Sequence, residues 1–217
     1  MNAPDIRPRA LSQPSRQATH PIEPIFLQRW SPRAFDASAM PQADLMRMLE
    51  AARWAPSAYN IQPWRFVFAL REHAHWAPWV ALLDPFNAAW ARHASALVFL
   101  VSDRLMPRRD DAPRQSSPTH RFDAGAAWAQ LSLQATALGY QAHAMAGIDA
   151  DAVREVLAVQ SNYQIEIGIA IGRAASPEIL PAELRARELP SDRLPLSSIA
   201  FAGRFPGAAD GDPRGAS

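Results

Sequence analysis

The sequence predicts an α+β fold, a mixed α/β arrangement in which one sheet is covered by helices. Segments of strand character alternate with helical ones, and no two-residue hairpin turn joins neighbouring strands. The 217 residues, 48% of them hydrophobic, suffice to bury one sizeable core and are too few for two comfortable domains. One domain is therefore expected over residues 23–205, between polar tails at 1–22 and 206–217.

In chain order, the first element is a helix over Pro41 to Trp54, with Leu45, Met48, Leu49 and Ala52 on one face and Pro41 suited to the first turn. It runs into a proline-bracketed loop, Ala55 to Pro63, after which Trp64 to Leu70 reads as a strand. Further strands are expected at Ala96 to Val101, Gln141 to Ala144 and Tyr163 to Ile171. The last alternates, placing Ile165, Ile167, Ile169 and Ile171 on one face.

Arg104 to Thr119 is polar and proline-containing and reads as a long surface loop, placed to act as a lid. Asp123 to Leu138 is a helix of mostly alanine and small polar residues, closed by Gly139. Small residues let backbones approach closely, which suits a central helix at a dimer interface. A short helix from Ala150 to Leu157 follows, with Asp149 as its N-cap.

Composition removes whole classes of chemistry. There is no cysteine and no lysine, so all 22 basic residues are arginine. Disulfides, iron–sulfur and Cys-zinc sites, thiol nucleophiles, Schiff-base lysines and a complete P-loop are excluded. A net charge of +1 calls for neither nucleic acid nor a membrane surface as partner. The N-terminus lacks the apolar stretch of a signal peptide, and a cytoplasmic location is expected. The six histidines form no metal-ligand set, so no metal is expected. An enzyme built this way relies on a bound cofactor.

Two motifs carry candidate chemistry. In Arg29-Trp30-Ser31-Pro32-Arg33, two guanidinium groups flank a hydroxyl in a proline-stiffened turn, and arginine forks bind phosphate oxygens bidentately. In Ala55 to Trp64, Pro56 and Pro63 rigidify the backbone while Ser57, Asn60 and Gln62 supply donors and acceptors for a planar polar ligand. Read alone, the first is equally a set of surface arginines and the second an ordinary proline-rich turn.

Together with Asp84-Pro85-Phe86-Asn87, Asp123 to Ala127, Met145 to Asp149, Ile171-Gly172 and Ser191 to Leu196, these segments resemble, in order and spacing, the nitroreductase family. That resemblance implies an FMN-dependent NAD(P)H oxidoreductase with a mixed central sheet. It also implies an intertwined homodimer, with the segment after Arg193 reaching across the partner subunit.

By the same resemblance, Arg29, Ser31 and Arg193 bind the FMN phosphate beside Trp30, and Arg33 lies near the ribityl chain and the pyrimidine edge. Pro56, Ser57 and Asn60 touch the isoalloxazine across the subunit interface. Asn87 reads the pyrimidine, against the alternative of a helix cap. Met145, Ala146 and Gly147 present backbone donors near N5 and O4, against the alternative of a plain strand-to-helix turn. The implied reaction is ping-pong: NAD(P)H passes hydride to flavin N5 and leaves before a nitroaromatic, quinone or similar small-molecule acceptor takes its place. Alternatives are a flavin-sequestering protein without turnover and a flavin-fragmenting or dehalogenating member of the same fold.

Trp90 and Ser191 stand where well-studied nitroreductases carry lysines, so two cationic contacts are expected to be lost. His120 and Arg121 are placed to face the substrate from the end of the long loop. A polyanion-binding role would rest on Arg108-Arg109 alone, which Asp110 and Asp111 largely cancel.

Overall fold

The structure is a computed structural model that describes residues 16–108 and 112–206. Its elements run α1 (Ile25–Gln28), α2 (Gln42–Arg53), β1 (Trp64–Leu70), α3 (Trp76–Val80), α4 (Pro85–Ala91), β2 (Ala96–Asp103), β3 (Leu105–Met106), β4 (Gln115–Ser116), α5 (His120–Ala137), β5 (Gln141–Met145), α6 (Ala150–Val156), β6 (Tyr163–Gly172) and α7 (Ala182–Arg185).

The four long strands form one sheet in the order β1-β2-β6-β5, and every neighbouring pair is antiparallel. The mixed sheet expected from the resemblance is thus antiparallel throughout the described residues of one chain. The reason lies in the connections: α3 and α4, of five and seven residues, take the chain away from β1 and return it to the same end of the sheet. A parallel crossover has to run back along the strand.

Helices cover both faces. On one, Leu45, Met48 and Ala52 of α2 and Ala124, Ala127, Leu131 and Ala135 of α5 pack on Val98, Leu100, Ile169 and Ile171. On the other, Trp79, Trp90 and Val153 from α3, α4 and α6 pack on Leu97, Phe99 and Val101. Every residue of β2 is therefore buried. The small residues of α5 let it lie close against α2, and the hydroxyl of Tyr140 donates to Asp44 Oδ2 of α2 at 3.0 Å.

The expected isoleucine alternation breaks once. Leu100 pairs with Ile167 and Val101 with Ile165, leaving Glu166 as the extra residue of a bulge. Ile167, Ile169 and Ile171 face α2 and α5, whereas Ile165 is turned into the opposite cluster. Side chains alternate with period two, so one inserted residue inverts everything before it.

Several boundaries also move. Pro41 stands just before α2 as its N-cap, and α5 begins at His120, three residues earlier than expected. Within the stretch read as a long loop, Leu105 pairs with Ser116 and Met106 with Gln115 to make a short antiparallel ribbon. The Arg109-Asp110-Asp111 part of the charged cluster, with residues 1–15 and 207–217, lies outside the described residues. Arg16, placed by composition in a tail, instead donates through Nη1 to Leu27 O at 3.2 Å and Arg29 O at 2.8 Å. No helix among the described residues is long and apolar enough to cross a membrane.

Candidate functional site

The Arg29–Arg33 turn is held at both ends by side chains distant in sequence. Trp30 N donates to Gln141 Oε1 at the start of β5, at 3.2 Å. At the other end a single carboxylate oxygen, Glu188 Oε1, accepts from Arg33 N at 2.6 Å and Ala34 N at 2.7 Å. Two backbone donors, the second of them buried, are satisfied by one carboxylate oxygen, which fixes the turn without using the guanidinium groups.

Those groups line a cleft of about 270 Å³. Arg16, Arg29, Arg33, Arg187 and Arg193 surround it, with Trp30, Ser31, Ser191 and His143 between them. The Nε–H groups of Arg16 and Arg33 and the indole N–H of Trp30 are buried and find no acceptor among the described residues. Burial, with Arg16 and Arg193 close by, pulls the Arg29 guanidinium below its ordinary pKa. Convergent cations with unused buried donors fit a phosphate-bearing ligand. Trp90 and Ser191 bring no cation here, whereas Arg16 and Arg187 add positive charge to the cleft from other parts of the chain.

His143 on β5 forms the floor between this cleft and the next cluster. The Pro32 carbonyl can only accept, so the 2.9 Å bond to His143 Nδ1 puts the proton there and leaves Nε2 as an acceptor. Trp90 covers the other side of the ring, centroid to centroid 4.6 Å. Burial, against the opposing Pro32 bond and assisted by Arg33 and Arg29, lowers the His143 pKa to about 4.

Between pH 6.5 and 4 the unfolded chain takes up a proton that the folded chain refuses, so the ligand-free protein is expected to lose up to about 3 kcal/mol of stability as pH falls through that window. Urea midpoints measured from pH 7.5 to 4 should therefore fall less steeply for His143→Gln than for the native chain. Parallel curves would show that His143 does not carry the acid sensitivity.

Two residues beyond His143, β5 ends in the Met145-Ala146-Gly147 turn, which α4 holds. Asp84 caps α4, its Oδ1 accepting from Asn87 N at 2.6 Å. Asp84 N and Asn87 Nδ2 both donate to Gly147 O, each at 3.1 Å. Asn87 is thus not the helix cap; its side chain braces the turn. Met145 is buried in the core, and Ala146 is the exposed residue of the turn.

The third predicted group stands apart. In the 55–63 loop Tyr59, Asn60 and Gln62 all have positive φ, at 52°, 54° and 47°, a cluster of strained non-glycine residues of the kind that gathers at functional sites. Ser57 Oγ accepts from Gln62 N at 3.0 Å, and Ala58 N donates to Asp123 Oδ2 at 3.4 Å in the first turn of α5. The arginine cleft adjoins Gln141, just past the other end of α5. Asp123 and Ala137 stand fourteen residues apart on that helix, so about 21 Å of α5 lies between the two contacts within one chain.

Near the same end, His120 Nδ1 lies 2.7 Å from Ser102 Oγ, which donates to Glu166 Oε1 at 2.5 Å, and Arg121 Nε donates to Glu166 Oε2 at 3.1 Å. The bulge in β6 is what aims Glu166 at this pair. Among the described residues no cluster of three or more His, Asp or Glu could hold a metal ion.

A family model, the nitroreductase family, matches residues 26–173. The chain belongs to the nitroreductase family. It is 31% identical over 210 residues to an NADH dehydrogenase of Thermus thermophilus, covering 84% of this chain and 98% of the relative. A CLA biosynthesis enone reductase of Lactiplantibacillus plantarum is 29% identical, with 70% of this chain and 84% of that one covered. Among solved structures, an oxidoreductase containing FMN is 48% identical and superposes with a TM-score of 0.86, over 88% of this chain and 96% of that one.

Within this nitroreductase-family chain, the tertiary structure adds Arg16, Arg187 and His143 to the residues read from motifs. His143 was accessible in principle, since period-two alternation along β5 puts it on the same face as Met145. Arg16 and Arg187 lie in segments with no motif to mark them.

Proposed function

We propose that the chain is an FMN-dependent oxidoreductase that moves hydride from NAD(P)H to a small acceptor in a ping-pong sequence, working as a homodimer. The carrying observation is the five-arginine cleft lined by His143, with the Gly147 turn braced by Asn87 four residues further along the chain. Bound there, FMN supplies hydride transfer at N5.

The residues divide the remaining work. Arg29, Ser31 and Arg193 bind the phosphate beside Trp30, and His143 Nε2 accepts from a ribityl hydroxyl. Arg33 places positive charge at the pyrimidine edge, where negative charge develops on reduction, a preorganised electrostatic contribution. Asn87 orients the pyrimidine, and the Met145–Gly147 backbone donates toward N5 and O4.

Pro56, Ser57 and Asn60 come from the partner subunit, because within one chain α5 holds them away from the cleft. The C-terminal stretch supports the same assembly: Leu194, Leu196, Ile199, Phe201 and Phe205 are all exposed in the isolated chain and gain cover on a second copy. Nitroaromatics, quinones and conjugated carbonyls are the acceptor class, the last in keeping with the enone reductase among the relatives. Trp90 is 1% exposed and lies in the core, so it does not cover the nicotinamide face of the flavin, which removes one of the two grounds for flavin sequestration without turnover.

The test is the visible spectrum of the purified protein before and after NADPH or NADH under anaerobic conditions. Rapid bleaching of a flavin spectrum is expected; a protein that cannot be loaded with FMN would end this reading. Arg33→Ala should keep its fold, because Glu188 grips the Arg33 backbone rather than its side chain, while NADPH-dependent turnover falls by about tenfold or more. Unchanged turnover would remove Arg33 from the mechanism.

A further inference from the structure

Arg16 and Arg187 reach the cleft from outside the arginine motifs, and Arg16 is the one that lies beside Arg29 and Arg193. Arg16 precedes α1 by nine residues, yet its Nη1 is tied to Leu27 O and Arg29 O, which seats the guanidinium on the end of α1. Using Nη1 for the backbone leaves the Nε–Nη2 edge, the side of the guanidinium that forms a bidentate fork with an oxyanion. Nε is buried and finds no acceptor among the described residues, and Arg16 lines the cleft beside Arg29 and Arg193.

Three like charges are brought together there with one facing carboxylate, Asp192, to offset them. Each side chain also carries entropy that has to be given up to hold this geometry. Both costs are reversed by a dianion at the point of convergence. Ser191 and Arg193 line the same cleft, so Arg16 adds a cation there from a segment far from them in sequence.

We propose that Arg16 is a direct ligand of the phosphate of bound FMN, making retention of the phosphorylated cofactor depend on the segment before α1. The proposal rests on the functional reading above. It implies selectivity for FMN over riboflavin, because Arg16 addresses only the phosphate.

Equilibrium titration of the apo full-length chain, followed by quenching of flavin fluorescence, separates the possibilities. For Arg16→Gln the Kd for FMN is expected to rise by about tenfold or more while the Kd for riboflavin stays unchanged. Unchanged FMN affinity would overturn the proposal, and so would equal weakening of FMN and riboflavin, which would mark Arg16 as a structural tie. Thermal unfolding of the apo variant within about two degrees of the native chain checks that the comparison is between folded proteins. Failure of the native chain itself to bind FMN would instead overturn the functional reading, and this assignment with it.

Discussion

Gly147→Ala is expected to unfold the turn beside the flavin site and abolish cofactor loading. A Cβ at Gly147 would overlap Asp84 Oδ2 outright and sit 2.6 Å from Asn87 Nδ2 and 2.7 Å from Asp84 Cγ. Asp84 cannot yield cheaply, because its carboxylate caps α4 through Asn87 N and its own N–H is bonded to Gly147 O. Losing the cap and overpacking the site together are worth about 2–4 kcal/mol, or roughly 5–12 °C in Tm for a chain of this size.

Differential scanning fluorimetry and the flavin-to-protein absorbance ratio measure both effects. A variant with native Tm and full flavin content would show that the turn has slack the structure does not reveal. Gly125→Ala is the matched control, since a Cβ there meets nothing within 4 Å and the substitution should be neutral or slightly stabilising.

Glu188→Ala should be the most damaging change outside the motifs. Glu188 is 3% exposed, and its Oε1 is the acceptor for both Arg33 N and Ala34 N. Removing it leaves two backbone donors without a partner, at about 1–3 kcal/mol each before relaxation, and releases the turn that aims Arg29 and Arg33. Tm should fall by roughly 5–15 °C, with FMN affinity weakened by more than about tenfold.

Glu188→Gln retains a carbonyl oxygen in the same place and should recover most of the stability. The two variants therefore separate geometry from charge. Equal damage from both would mean that the negative charge beside Arg33 and Arg187, rather than the acceptor, holds the turn.

Much of this architecture was legible in the chain because it rests on local rules. The α2 pattern, the Asp149 cap, Gly139 at a φ of 79° after α5, and four strands within two residues of their expected ends all follow from periodicity and capping. The bulge at Glu166 was not legible: Ile165 to Ile171 alternates perfectly in sequence, and the inserted residue is defined only by what β2 pairs with. The same limit explains Gly147. A glycine before a helix reads as a turn, whereas the carboxylate that forbids a side chain there belongs to residue 84.

The sequence by itself determined the family, the gathering of two arginines and a hydroxyl in one short turn, and the exclusion of thiol and lysine chemistry, because each depends on which residues are present and on short-range spacing. Only the tertiary structure decided that Arg16, Arg187 and His143 join the arginine turn, that Glu188 supports it, and that the 55–63 loop docks on the opposite end of α5. Those relations depend on packing between segments far apart in the chain, and no local pattern encodes a distance that only the folded backbone sets.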